Sequence, residues 1–266
     1  MEERCMRLGR IYFDHSVEGY KKVKESGLDF VEICCNYDKD NDYLIGEKEH
    51  FKSVIEESGV DVSCLGRWNH ELLKDGKIDR EKLDGYKELL DTAVYLGAKT
   101  FVCGCNYDKS ISLYKNYTHA IEIFGTLCDH AKDKNIKVAV QNCHWNNFVV
   151  SPKEWEIILG ELPELYIKYD PSHAYTRGDD YLSEMSDWGE KIAHMHIKGS
   201  TIAGKNEIDD PPAGMDDLKW GAIFSILYAR GYNGDLSIEP HSPIWSGELG
   251  DKGVAFTRDY MRKFML

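Results

Sequence analysis

The 266-residue chain has no lysine- or arginine-rich run, no window apolar enough to span a membrane and no proline- or glycine-rich linker. Each absence excludes something. With no basic run and a net charge of −13, the chain is poorly suited to nucleic acid, where phosphate neutralisation supplies most of the affinity. The opening MEERCMRLGRIYFDHS lacks the apolar stretch of a secretory signal, so a cytoplasmic protein without a membrane partner is expected. No glycine-rich phosphate turn follows the first apolar run, where YFDHSVEG stands instead. That counts against an open, doubly wound nucleotide-binding sheet.

Disulfides and structural zinc are also disfavoured. Of the eight cysteines, Cys34, Cys35, Cys64, Cys103, Cys105 and Cys143 fall in or just after short apolar runs. They read as reduced, buried small side chains in a reducing compartment. The CGC at 103–105 has no second pair to complete a zinc site.

What is present is ordinary for a large soluble core: 42% hydrophobic and 30% charged residues. Short apolar runs recur as strand candidates: LGRIYF, FVEICC, VSCLG, TFVCGC, KVAVQN, YIKYD, AHMHIK and DLSIEP. Segments of helical spacing separate them, such as Phe51, Val54 and Ile55, or Tyr86, Leu89, Leu90, Ala93 and Val94. Further helices are expected over 16–26, 112–134, 152–160, 216–230 and 251–264, with Gly27, Gly59, Gly97 and Gly231 as left-handed terminators. Eight alternations without a linker predict one domain over 1–266, a single α/β (β/α)8 barrel. The near-continuous apolar strands suit a parallel sheet buried on both faces.

Barrel chemistry sits at the C-terminal ends of the strands. Polar residues do cluster late in these runs: Glu32, then Gln141-Asn142-Cys143-His144, Asp170 with His173, His194, His196 and Lys198, and lastly Glu239 and His241. Glu32 reads equally as an internal hydrogen-bond acceptor or a substrate contact, and His194 as a hydrogen-bonded core histidine. His173 and His241 also suit ordinary loops, and Asp170-Pro171 is a common turn opening. His15, His50, His70, His119 and His130 read mostly as surface or helix positions. Taken together, strands five to eight each offer a ligand at one end, and carboxylates, imidazole and an amide oxygen suit Mn²⁺, Mg²⁺ or Co²⁺.

These motifs resemble the sugar phosphate isomerase/epimerase group of xylose isomerase-like TIM barrels, which includes ketose 3-epimerases, hydroxypyruvate isomerase, inosose dehydratase and endonuclease IV. YDPSHA is similar to the family's strand-six Asp-x-x-His, HMHIKGS to its His-x-Lys, IDDPPAGMDDLKW to its glycine-containing loop and LSIEPHS to its strand-eight glutamate. VAVQNCHW stands where members carry Glu-Asn-Cys or Glu-Asn-His. The resemblance implies metal ligands Gln141, Asp170, His196 and Glu239, with Mn²⁺ the expected ion and Mg²⁺ or Co²⁺ as alternatives. It implies a substrate-facing His173 and Lys198 and a possible homo-oligomer.

Gln141 departs from the family pattern. Glutamine keeps a ligand oxygen but cannot accept a proton at neutral pH, and it removes one negative charge from the ligand set. A symmetric two-base epimerisation is therefore doubtful. A single-base reaction survives, with Glu239 deprotonating beside a carbonyl and His144 or His173 as further acid/base groups. The expected function is isomerisation or epimerisation of a small sugar, ketose or keto-glycoside, unphosphorylated rather than phosphorylated. Dehydration of a keto-sugar or keto-inositol and sugar binding without turnover are the alternatives. Trp68 and Trp145, with Phe13, are candidate sugar-packing rings, and Arg67 a candidate for an enolate or phosphate; Glu32 and His241 complete the expected substrate contacts.

Overall fold

The computed structural model describes residues 6–266. Eight parallel strands close into one barrel: β1 (Arg7–Ile11), β2 (Phe30–Cys35), β3 (Asp61–Arg67), β4 (Thr100–Cys103), β5 (Lys137–Gln141), β6 (Tyr166–Tyr169), β7 (Ile192–Ile197) and β8 (Asp235–Ile238). Each pairs with its neighbours in chain order, and β1 closes the ring on β8 with Arg7 opposite Asp235. That closure is reinforced by side chains. The Arg7 guanidinium grips Asp235 at 2.9 and 2.7 Å, while Ser63 donates to the same carboxylate.

The strands form because runs such as FVEICC and TFVC have nothing to expose: β4 is buried along its whole length. The helices bury one stripe against the barrel, as Leu83, Tyr86, Leu89, Leu90 and Ala93 do in Arg80–Leu96. Their starts follow capping chemistry. Ser16, Asp79 and Ser112 each accept a hydrogen bond from the first-turn N–H of Gly19, Lys82 and Lys115. Gly59 and Gly97 end their helices at φ of 63° and 90°, where a side chain would be strained.

All eight expected strands form, within about two residues at each end. Three helices go beyond those expected: Asp38–Gly46, Pro171–Arg177 and Tyr181–Trp188. The second corrects the expected turn after β6. Asp170 is the N-cap of that helix and Pro171 its first residue, where proline needs no amide hydrogen and its ring suits the helical φ. Two small hairpins, Leu73–Lys74 with Lys77–Ile78 and Thr201–Ala203 with Asn206–Asp209, lie outside the barrel. Among the described residues no helix is long and apolar enough to cross a membrane.

Candidate metal centre and substrate pocket

The last residues of β5 to β8, or those just beyond, point into the mouth of the barrel. Asp170, His196 and Glu239 bring one ligand atom each to within 4.8 Å of one another. Secondary structure fixes the first of them. As N-cap, Asp170 spends Oδ1 on the Ser172 amide at 2.9 Å, and Oδ2 is left buried without a hydrogen-bond partner. Burial would raise this carboxyl, but Lys198, His173 and Lys168 together hold it below the usual range.

His196 is oriented from behind. Its Nε2 lies 3.0 and 3.1 Å from the two oxygens of Glu32, and its Nδ1 faces Glu239 Oε2 at 2.7 Å. Glu32 also takes His194 Nε2 at 2.9 Å, which Ser237 approaches at the same distance. Burial alone would raise Glu32, yet the two imidazoles hold it well below the ordinary carboxylate range. Glu32 is fully buried and spent on histidines, so the alternative of a substrate contact is set aside. Its place is that of a carboxylate behind an imidazole, which fixes ring orientation and tautomer. His194 is the core histidine expected.

Glu32, Cys64 and His194 form a second tight group within the barrel. It is a poor ligand set. Burial and then Glu32 push the Cys64 thiol well up, so it stays protonated, and Glu32 is already shared by two rings.

Gln141 ends β5 fully buried. Its Nε2 lies 2.8 Å from His70 Nε2, and His70 Nδ1 lies 2.9 Å from the Tyr86 hydroxyl. Burial, then Arg67, keeps His70 well below its ordinary range and therefore neutral. A neutral ring accepts the amide N–H on one nitrogen, which turns the glutamine oxygen the other way. Gln141 Oε1 is indeed buried with no partner. His70 reads from the sequence as a surface position and is instead wholly buried. The signal for it is the close approach of backbone at Gly104, where a Cβ would lie 2.6 Å from His70 Nε2 and 2.8 Å from Asn147 Cγ.

A cavity of about 170 Å³ sits against this cluster, lined by Phe13, Trp68, Trp145, Lys168, His173, Glu239 and His241 among others. Trp68 is buried and packs on His196 with ring centroids 5.9 Å apart. Trp145 is 41% exposed and meets Tyr37 edge-on. His241 bonds Asp210 at 2.8 Å, which raises its pKa. Lys198 bridges Asp170 at 3.8 Å and Asp210 at 3.7 Å; burial lowers it, but these carboxylates with Glu239 more than reverse that. His173 lies 3.5 Å from Asp170 Oδ2 and meets His144, an exposed residue, edge-on at 6.1 Å between centroids.

Arg67 does not join them. Its guanidinium is held by Asp38 at 2.8 Å, by the carbonyls of Asn36 and Trp68, and against the Tyr86 ring, with no part in lining the cavity. The expected enolate or phosphate contact gives way to an anchor for the chain after β3. Lys168 gives little sign of itself in the sequence, its polar head hidden inside the apolar-looking run YIKYD. A wider cavity of 1030 Å³ opens at the opposite end of the barrel, among strand beginnings such as Thr100, Lys137, Tyr166 and Asp235, and holds none of these groups.

The resident ion implied by the sequence fits this geometry. Three hard or borderline donors converge, and two buried oxygens, on Asp170 and Gln141, lack a hydrogen-bond partner, which is costly unless something engages them.

Solved structures share the fold. A 3-keto-D-glucoside 4-epimerase from E. coli aligns at a TM-score of 0.76 with 18% identity, over 97% of this chain and 99% of that one. D-psicose 3-epimerase from Clostridium cellulolyticum H10 gives 0.77 at 14% identity, over 98% and 99%. A xylose isomerase domain protein from Planctomyces limnophilus gives 0.74 at 15%, over 99% and 98%. No curated protein matches the sequence significantly. Residues 20–261 match the xylose isomerase-like TIM barrel family, and the chain belongs to it.

Proposed function

We propose that the protein is a divalent-metal-dependent isomerase or epimerase of a small sugar, ketose or keto-glycoside, acting by proton abstraction beside a carbonyl. One observation carries the reading: Asp170, His196 and Glu239 converge from three consecutive strands, with an oxygen on Asp170 and one on Gln141 free of hydrogen bonds. Fold relatives named as a keto-glucoside epimerase and a psicose epimerase support the substrate class.

Asp170 Oδ2, His196 Nδ1, Glu239 and Gln141 Oε1 would hold the ion, with Glu32 keeping His196 in register. A divalent cation, best Mn²⁺ from this donor set, supplies positive charge beside the substrate's carbonyl and hydroxyl oxygens. Glu239 is the base. His196, Lys198 and Lys168 hold its carboxyl well below the ordinary range despite burial, so it is ionised at neutral pH and free to accept a proton. Gln141 binds but takes no proton. Burial lowers His173 to about 3, so at neutral pH this ring is uncharged and serves as a hydrogen-bonding partner rather than a proton reservoir. His144, exposed beside it, is the imidazole available for acid/base work. One base beside a neutral amide also suits β-elimination, which needs a single abstraction and a proton for the leaving group.

The test is solvent exchange. Protein loaded with Mn²⁺ and given D-psicose or a 3-keto-glucoside in D₂O should place deuterium on the carbon beside the carbonyl. Glu239→Gln should slow this by roughly 100-fold or more. Protein that binds sugar but neither retains metal nor exchanges hydrogen would make it a non-catalytic sugar-binding barrel.

A further inference from the structure

Lys168 is the one lysine or arginine lining the cavity, and among the described residues it makes no direct ion pair or hydrogen bond, its charge reaching Asp170 and Glu239 only through space. It is 1% exposed, pairs in register with Gln141 on one side and His194 on the other, and therefore faces the barrel interior. Its Nζ stands 5.0 Å from the centre of the Trp68 ring. Among the described residues no carboxylate comes within ion-pairing distance of it and no hydrogen-bond acceptor engages it. Lys198, at the same mouth, has both Asp170 and Asp210.

A desolvated ammonium is costly unless acceptors replace the water it loses. The Trp68 face returns part of that through cation–π attraction but offers no hydrogen-bond acceptor. What remains are the three N–H donors of an ammonium opening on a cavity of about 170 Å³, shared with Glu239, His173 and Trp68. Groups held in this unfavourable state are retained at binding sites, where a ligand completes them.

Building on the reading above, we propose that Lys168 binds a carboxylate of the substrate, so that the substrate class is a monosaccharide-sized keto acid. A single unpaired ammonium matches a single carboxylate. A phosphate ester brings more charge and commonly meets a cradle of backbone amides, and no glycine-rich turn of that kind is in the sequence. The cavity is also small against the several hundred Å³ of typical ligand pockets.

Calorimetric titration of the Mn²⁺-loaded protein with D-fructose, D-fructuronate and fructose 6-phosphate tests this without turnover. Fructuronate differs from fructose by one oxidised carbon and should bind roughly tenfold tighter or more. Lys168→Met and Lys168→Gln should abolish that preference, weakening fructuronate roughly tenfold more than fructose. The Met variant should not melt below the parent, because the lysine head makes no direct ion pair or hydrogen bond for the substitution to break. Equal affinity for fructose and fructuronate, no measurable binding of either, a preference for the phosphate ester, or variants that weaken both sugars alike would overturn the proposal. A lowered melting temperature in both variants would do the same, by making the lysine structural. Solvent exchange is read separately, so loss of the proton-abstraction mechanism and loss of the carboxylate contact give different results.

Discussion

Glu32→Gln is the sharpest perturbation of the centre, because Glu32 touches no substrate cavity yet holds two imidazoles. The substitution keeps size and removes charge. Three contacts are altered: His194 Nε2 at 2.9 Å and His196 Nε2 at 3.0 and 3.1 Å from the carboxylate oxygens. One amide oxygen can accept from one ring; the amide NH₂ then confronts the N–H of the other. Breaking a buried charge pair costs about 3–5 kcal/mol. For a chain of this length that corresponds to a fall in melting temperature on the order of 10 °C. The second consequence is local. With His196 no longer locked, Mn²⁺ affinity should fall about 10- to 100-fold, as when the hydrogen-bond partner of a metal ligand is removed. Thermal unfolding and Mn²⁺ titration of the same samples report the two effects independently. A variant that melts with the parent and binds Mn²⁺ unchanged would refute the assignment of Glu32 as the group behind His196.

Gln141→Glu restores a second carboxylate opposite Glu239 and should tighten Mn²⁺ and raise epimer formation from a ketose, followed by NMR of the product sugar. Rapid epimerisation by the unaltered protein would defeat the argument from the missing base. Gly104→Ala places a methyl group where His70 and Asn147 now lie, at a cost of roughly 1–3 kcal/mol, visible as a lower urea midpoint. Because His70 then leaves Gln141, Mn²⁺ binding should weaken in the same variant. An unchanged midpoint would show that the neighbours yield freely.

The barrel is legible in the sequence because burial on both sheet faces writes itself into continuous apolar runs, and all eight became strands. The candidate ligands Asp170, His196 and Glu239 are legible because a polar residue that closes such a run, at the end where barrels do their chemistry, has little structural reason to be there. Their supports are not. His70 lies outside any strand, and only the folded path of the chain brings it beneath Gln141. Lys168 is hidden by alternation: the inward face of a barrel strand reads as core whether it ends in solvent or in a pocket. Arg67 misleads for the opposite reason, since a terminal arginine at a strand end suggests a ligand until Asp38, from an unanticipated helix, occupies it. The helix after Asp170 escapes the sequence because Asp-Pro reads as a turn opening, whereas here the proline starts a helix.

That helix joins two obligations in one side chain. One oxygen of Asp170 begins the turn at Ser172; the other is turned toward His173, Lys198 and the centre. Asparagine at this position would still start the helix but surrender the charge, and glutamate would retain charge while carrying its oxygens one methylene too far to do both. Tolerance at residue 170 is therefore set jointly by architecture and chemistry, and a homologue that altered it would have to rebuild its sixth unit along with its activity.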